Sequence, residues 1–344
     1  MIETVNNQFD LVSTSWLTPA FLQLINTYQS GRFAHGLLFT GSAGVGKFKQ
    51  AKNLAQYLLC SDKQAHGACQ ACHSCKLFLA HNHLDFHFLH NENNSIGIEQ
   101  VRGLIASLNE RPHLGENKVV IIKDAHLLTS SAANALLKTL EEPQGNSYLI
   151  LLARTHHQLM PTLLSRVQHT HIHTPDDVTL LAWLAELGYM VDDIGLLRLF
   201  QNSPLALLNH LRNIETGQSE DERKNCIEGI FALLNQPDTL FTFSHYLAEA
   251  VESRLQLLFH LFHDLHKLKL LDSALDHDAI YSFALPQLQI WQRQISLKSL
   301  RYINNEILHT RHLLVSHAAV KKELLINALL IKIKNEFMEP DYVG

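Results

Sequence analysis

Gly36-Leu-Leu-Phe-Thr-Gly41-Ser-Ala-Gly-Val-Gly-Lys47 is the stretch that decides the fold. The apolar run predicts a strand over Gly36–Thr40, and a helical pattern follows the loop as far as Leu59. Between them, Gly41-x-x-x-x-Gly46-Lys47 has the spacing of a phosphate-cradling loop. In such a loop glycines let backbone N–H groups approach phosphate oxygens, and the lysine adds a point charge. A ligand-free helix-capping turn is the plain alternative. The whole match, sitting directly behind a strand, argues for descent from a nucleotide loop.

Working outward, Val119–Ile122 reads as a second strand leading into Lys123-Asp124. Tyr148–Ala153 reads as a third, after a helix that starts near Ser130 and ends at Glu142-Pro143. Strands alternating with helices predict a parallel sheet wound by crossovers, an α/β domain over 1–174. Beyond Pro175 the β-branched runs give way to Leu-rich helical periodicity. A small helical domain is expected over 175–214 and an all-α domain over 215–344, with Glu215–Arg223 as an exposed joint.

Two parts of a magnesium site are missing. The residue after the loop lysine should carry a hydroxyl for the metal, and Phe48 has none. The strand Val119–Ile122 should end in a carboxylate pair, but Lys123 stands where the metal-organising acid belongs and only Asp124 remains. A cation there repels magnesium. No intrinsic ATP hydrolysis is therefore expected, and binding of ATP at Gly41, Gly44, Gly46 and Lys47 is left open as weak or absent.

Cys60, Cys69, Cys72 and Cys75 form a C-x8-C-x2-C-x2-C array, a module spanning about 60–80. C-x2-C pairs suit tetrahedral zinc, because two thiolates on one tight turn reach the same ion. Four sulfurs close the coordination shell, so the zinc is expected to be structural. Gly67 gives turn freedom, Lys63 and Lys76 offset thiolate charge, and His66 and His73 are possible substitute ligands. Cys226 stands apart and reads as a small buried apolar residue.

The 344 residues are 46% hydrophobic, which suits folded domains rather than disorder. The net charge of −5 argues against a protein that coats nucleic acid by itself. No apolar stretch is long enough to span a membrane. Met1–Asp10 lacks the basic-then-apolar pattern of a targeting segment, so a cytoplasmic protein is expected.

The glycine loop, the cysteine insertion, Lys118-Val-Val-Ile-Ile-Lys-Asp-Ala-His126 and Asn134-Ala-Leu-Leu-Lys-Thr-Leu-Glu-Glu-Pro143 follow one another in that order. Together they resemble bacterial DNA polymerase III clamp-loader subunits of the AAA+ class. Leu164-Ser165-Arg166 is similar to that family's Ser-Arg-Cys signature, with Val167 in place of Cys. The resemblance implies an AAA+ P-loop domain with an inserted zinc module, a helical lid and a C-terminal collar domain used for oligomerisation.

It also implies hetero-oligomeric partners in DNA replication: gamma/tau and delta subunits, and through the complex the sliding clamp and primed DNA. The family holds an ATP-hydrolysing gamma/tau type and a delta-prime type. Phe48, Lys123 and Leu205, the last standing where a phosphate-sensing arginine belongs, make this chain resemble the delta-prime type. Arg166 is retained and is implied to reach the ATP of a neighbouring subunit. An active gamma-like ATPase and a zinc-dependent nucleic-acid module are the rival readings.

Overall fold

The computed structural model describes residues 14–90, 95–143, 145–217, 220–271, 278–316 and 321–338. Met1–Asp10, and Gln218 and Ser219 within the expected joint, lie outside the described residues. The chain forms two compact units, Met1–Leu180 with Asn202–Ala206, and Leu181–Gln201 with Leu207–Gly344.

The first unit is built on a parallel sheet of β1 (Gly36–Thr40), β4 (Phe86–Leu89), β5 (Asn117–Ile122), β6 (Asn146–Leu152) and β7 (Gln168–His171), in the order β4-β5-β6-β1-β7. β1 and β5 are buried along their whole length, because helices cover both faces of the sheet. Alternation then sends Leu37, Phe39, Val119, Ile121 and Ile150 into one core, and Leu38, Val120, Ile122, Leu149 and Leu151 into the other. Each such side chain, fully buried, contributes about 1.5–3 kcal/mol against exposure.

The helix α1 (Thr18–Gln29) and α2 (Lys47–Leu59) flank the first core. A two-stranded ribbon, β2 (Lys63–Gln64) and β3 (Gly67–Ala68), and the short helix α3 (His73–Leu79) follow α2. Helices α4 (Ile98–Asn109) and α5 (Ser130–Glu141) cover the second core, and α6 (Pro161–Leu164) precedes β7. Thr129 caps α5, its Oγ1 accepting from the Ala132 N–H at 3.3 Å.

The sheet matches the expected α/β class, parallel and wound by crossovers, with helices following. The helical second unit takes up the end of α7 (Asp177–Glu186), α8 (Ile194–Leu199) and, after Ala206, the rest of α9 (Pro204–Glu215). It continues with α10 (Glu222–Asn235), α11 (Leu240–Glu249), α12 (Val251–Leu271), α13 (Leu285–Gln294), α14 (Leu297–Ser316) and α15 (Lys322–Met338). Leu255, Leu258, Phe262 and Leu265 of α12 meet Ile303 and Ile307 of α14 and Ile326, Leu330 and Ile333 of α15 in one apolar core. In the same unit the buried guanidinium of Arg223 donates to Asp193 and Asp221 carboxylates at 2.5 and 2.7 Å and to the Ile280 carbonyl at 2.8 Å. Its charge is fully answered, which is what makes its burial tolerable. No helix among the described residues is long and apolar enough to cross a membrane.

Candidate nucleotide cleft and metal centre

β1 delivers the glycine loop to the carboxyl end of the sheet, where open α/β sheets bind ligands. Gly41, Gly44 and Gly46 have φ of 146°, 81° and 106°, values that side-chain-bearing residues rarely adopt. A Cβ on Gly44 would stand 2.6 Å from both the backbone N and the Cβ of Ala206, and the Leu205 N–H donates to the Gly44 carbonyl at 3.0 Å. The loop is thus seated against the start of α9. The Trp16 indole N–H donates to the Val45 carbonyl at 2.8 Å and fixes the other side.

Lys47 donates from Nζ to the carbonyls of Gly41 and Ser42, each at 2.8 Å. Burial lowers its pKa to about 8 against the opposing pull of Asp124. A cleft of about 380 Å³ opens beside it, lined on its polar side by Lys47, Lys49, Lys52, Lys123, Asp124 and Arg154. Phe48 and Leu205 line it too, so the three departures noted in the sequence face one space. The Phe48 ring packs against Phe88 with centroids 4.9 Å apart. Its position is thus filled by an aromatic pair rather than by a metal-binding hydroxyl. Lys123 is exposed directly after β5.

Arg166 does not line this cleft. It follows α6, where Nε and Nη2 donate to Glu141 Oε1 at 2.6 and 2.5 Å, and Nη1 donates to the Thr162 carbonyl and Ser165 Oγ at 3.0 Å.

The four cysteines lie together at the ribbon. Their Sγ atoms are all within 4.8 Å of one another, with Cys60 3.5 Å from Cys69 and 3.9 Å from Cys72. A tetrahedral ion with sulfurs at about 2.3 Å sets the sulfurs roughly 3.8 Å apart, so the group fits such an ion. The N–H groups of Cys69, Cys72 and Cys75 donate to the sulfurs of Cys60, Cys69 and Cys72 at 3.3–3.4 Å, a pattern that favours thiolates. Burial raises the Cys60 and Cys75 thiols. It opposes the Cys72 thiolate too, but hydrogen bonds from Ser61 and the Cys75 N–H prevail and bring that pKa down to about 5. His66 and His73 are not part of the group. Cys226 is buried alone in α10, where burial pushes its thiol up to about 12.

A hydrogen-bond chain ties the module to β4. The Asp85 N–H donates to His83 Nδ1 at 3.1 Å, so Nε2 carries the proton toward Ser74 Oγ at 2.7 Å, and that hydroxyl donates to the Leu59 carbonyl at 2.7 Å. Ser74 therefore links the neighbours of Cys60 and Cys75.

Residues 17–176 match a family described as "DNA polymerase III, delta subunit", and residues 218–335 match "DNA polymerase III, delta subunit, C terminal". The DNA polymerase III subunit delta' of Escherichia coli (strain K12) is 32% identical over 335 residues, covering 95% of this chain and 97% of that protein. The chain belongs to the DNA polymerase III delta-prime family. Within the delta-prime family, the Yersinia pestis protein is 32% identical over 92% of this chain and 94% of its own. The Pseudomonas aeruginosa protein is 32% identical over 87% and 91%. The resemblance drawn from the sequence motifs is borne out over nearly the whole chain.

Reading the sequence missed Lys49, Lys52 and Arg154 as parts of the cleft, and Glu141 as the partner of Arg166. Arg154 had a usable signal, since it stands just past the carboxyl end of the third expected strand.

Proposed function

We propose that this chain is the non-hydrolysing stator of a DNA polymerase III clamp loader, and that Arg166 serves the ATP site of a neighbouring subunit. The observation that carries the first half is that Phe48 and Lys123 both face the cleft where magnesium would be organised. The packed Phe48–Phe88 pair offers no oxygen, and Lys123 brings a positive charge where the metal needs a negative one. Losing the hydroxyl and the acid together removes two independent supports of the same ion.

The work of the chain is then done at its surfaces. Arg166, on the short segment between α6 and β7, can offer its guanidinium to phosphate oxygens in an adjacent subunit and stabilise charge that develops in the transition state. The pairing with Glu141 holds the guanidinium ready in the isolated chain. Gly41, Gly44, Gly46 and Lys47 persist as a degenerate loop that seats the start of α9. Residues 215–344 serve assembly as a collar, and residues 175–214 act as the lid. Gamma/tau and delta subunits are the partners, and the sliding clamp and primed DNA are met through the complex in the cytoplasm.

The four cysteines hold a structural Zn²⁺. A bound zinc would cross-link the end of α2, the ribbon and α3, and Ser74 and His83 keep the two outer ligands in register. The test is steady-state ATPase of the purified chain with magnesium. Turnover no higher than that of a Lys47→Ala variant is expected; magnesium-dependent turnover that Lys47→Ala removes would make the chain a gamma-like motor instead.

A further inference from the structure

The cleft beside the glycine loop is strongly basic although the chain as a whole carries a net charge of −5. Lys47, Lys49, Lys52, Lys123 and Arg154 converge on it against the single carboxylate of Asp124. Its volume of about 380 Å³ lies within the range of about 300–1,000 Å³ usual for small-ligand sites. Low-dielectric walls around charges of one sign focus the field and raise the local concentration of an opposite charge. Phe48, Leu152, Ala153 and Leu205 supply such walls here.

We propose that this cleft binds an oligophosphate chain without magnesium, either free or as part of a nucleoside triphosphate. In a magnesium-dependent loop the ion neutralises phosphate oxygens that the lysine alone cannot. Lys123 sits at the end of the strand that would hold the ion, so its ammonium supplies positive charge from the same side. Lys49 and Lys52 add theirs from the first turns of α2, whose N-terminus also favours anions, and Arg154 adds a guanidinium from the end of β6. Lys47 is at present held by two carbonyls of its own loop, contacts that an anion can replace. Magnesium opposes this mode twice over, by lowering the charge of the ligand and by meeting Lys123. The proposal rests on the reading that the loop cannot organise magnesium, and ATP hydrolysis by the chain alone would strike that reading first.

The test is calorimetric titration at low ionic strength of the full chain with ATP and with inorganic tripolyphosphate, each in EDTA and each in excess Mg²⁺. Both ligands are expected to bind in EDTA, with affinity about tenfold or more weaker in Mg²⁺. If tripolyphosphate binds and ATP does not, the free chain is the source and the proposal stands. Lys123→Glu, at an exposed position, is expected to weaken metal-free binding by about tenfold with an unchanged melting temperature. Arg154→Gln, also exposed, gives a second reading of the same loss. Saturation by neither ligand in EDTA overturns the site while leaving the non-hydrolysing reading intact. Binding of ATP but not tripolyphosphate in EDTA, weakened by both variants, makes the nucleotide the source; equal or tighter binding with Mg²⁺, or indifference to both variants, likewise overturns the site.

Discussion

Arg166 and Glu141 meet through two nitrogens on one oxygen, Nε at 2.6 Å and Nη2 at 2.5 Å from Oε1. Glu141 ends α5 and Arg166 follows α6, so the pair joins the Asn134–Pro143 run to the Leu164-Ser165-Arg166 signature. Both side chains keep much of their exposure, 35% and 48%. At that exposure the pair orients the guanidinium and adds only about 0–1 kcal/mol to stability. Glu141→Gln should therefore shift a urea unfolding curve by less than about 1 kcal/mol. A loss above about 2 kcal/mol would make the bridge a structural fixture and weaken its reading as a holder for a mobile arginine.

Phe48 and Phe88 give a second measurable pair. Phe48→Ala should lower stability by about 1–2 kcal/mol, less than a fully buried aromatic, because the ring is only half-buried. The double change Phe48→Thr with Lys123→Asp puts back the hydroxyl and the acid together. Nucleotide binding in that variant should become tighter with magnesium, and isothermal titration with and without EDTA reads the change of sign. Binding no tighter with magnesium than without it would mean that further parts of the ion site are missing.

The four-cysteine cluster yields a chelator experiment. The purified chain should carry about one zinc, and Cys72→Ser should lose it to a chromogenic chelator at a concentration the parent resists. His83→Ala removes the chain of hydrogen bonds through Ser74 to Leu59, and should speed release about tenfold without removing a ligand. Burial raises the thiols of Cys60 and Cys75, so metal binding there releases protons and affinity should fall as pH falls. An unchanged release rate in His83→Ala would confine the network to a packing role.

Asp264 carries the clearest pH signature. Its buried carboxyl accepts from the Tyr281 N–H at 2.9 Å, yet desolvation raises its pKa to about 6 from 3.8. The folded state thus holds this proton more tightly than the unfolded state. Stability from this group is full below about pH 4 and is lost as pH rises through about 6, by roughly 2–3 kcal/mol. Asp264→Asn keeps an oxygen for the Tyr281 N–H and has no charge to bury. It should be more stable than the parent by about 1–3 kcal/mol at pH 8 and nearly equal to it at pH 4. Denaturant midpoints at the two pH values decide; a variant that is less stable at pH 8 would refute the assignment.

The parts of the fold legible in the sequence are those where one local rule acts alone. Gly36–Thr40 was readable as a strand because both faces are buried, so every residue in it is apolar or small. The cysteine cluster was readable from spacing, since two C-x2-C turns can converge on one point with little help from the rest of the chain. β7, Gln168-His-Thr-His171, was not readable: it is an edge strand with half-exposed polar residues, and only pairing with β1 makes it a strand. The cationic character of the cleft was hidden for a similar reason. Lys47, Lys123 and Arg154 stand behind three different strands, and only the order β5-β6-β1 brings those ends together.

The measurement that bears most directly on the account is the DNA-stimulated ATPase of a clamp loader reconstituted with this chain, with Arg166→Ala, and with Glu141→Gln in its place. The chain alone should be silent, Arg166→Ala should lower turnover at the neighbouring site by about 10³-fold or more, and Glu141→Gln should stay close to the parent. Turnover unchanged by Arg166→Ala in a complex that still assembles would contradict this.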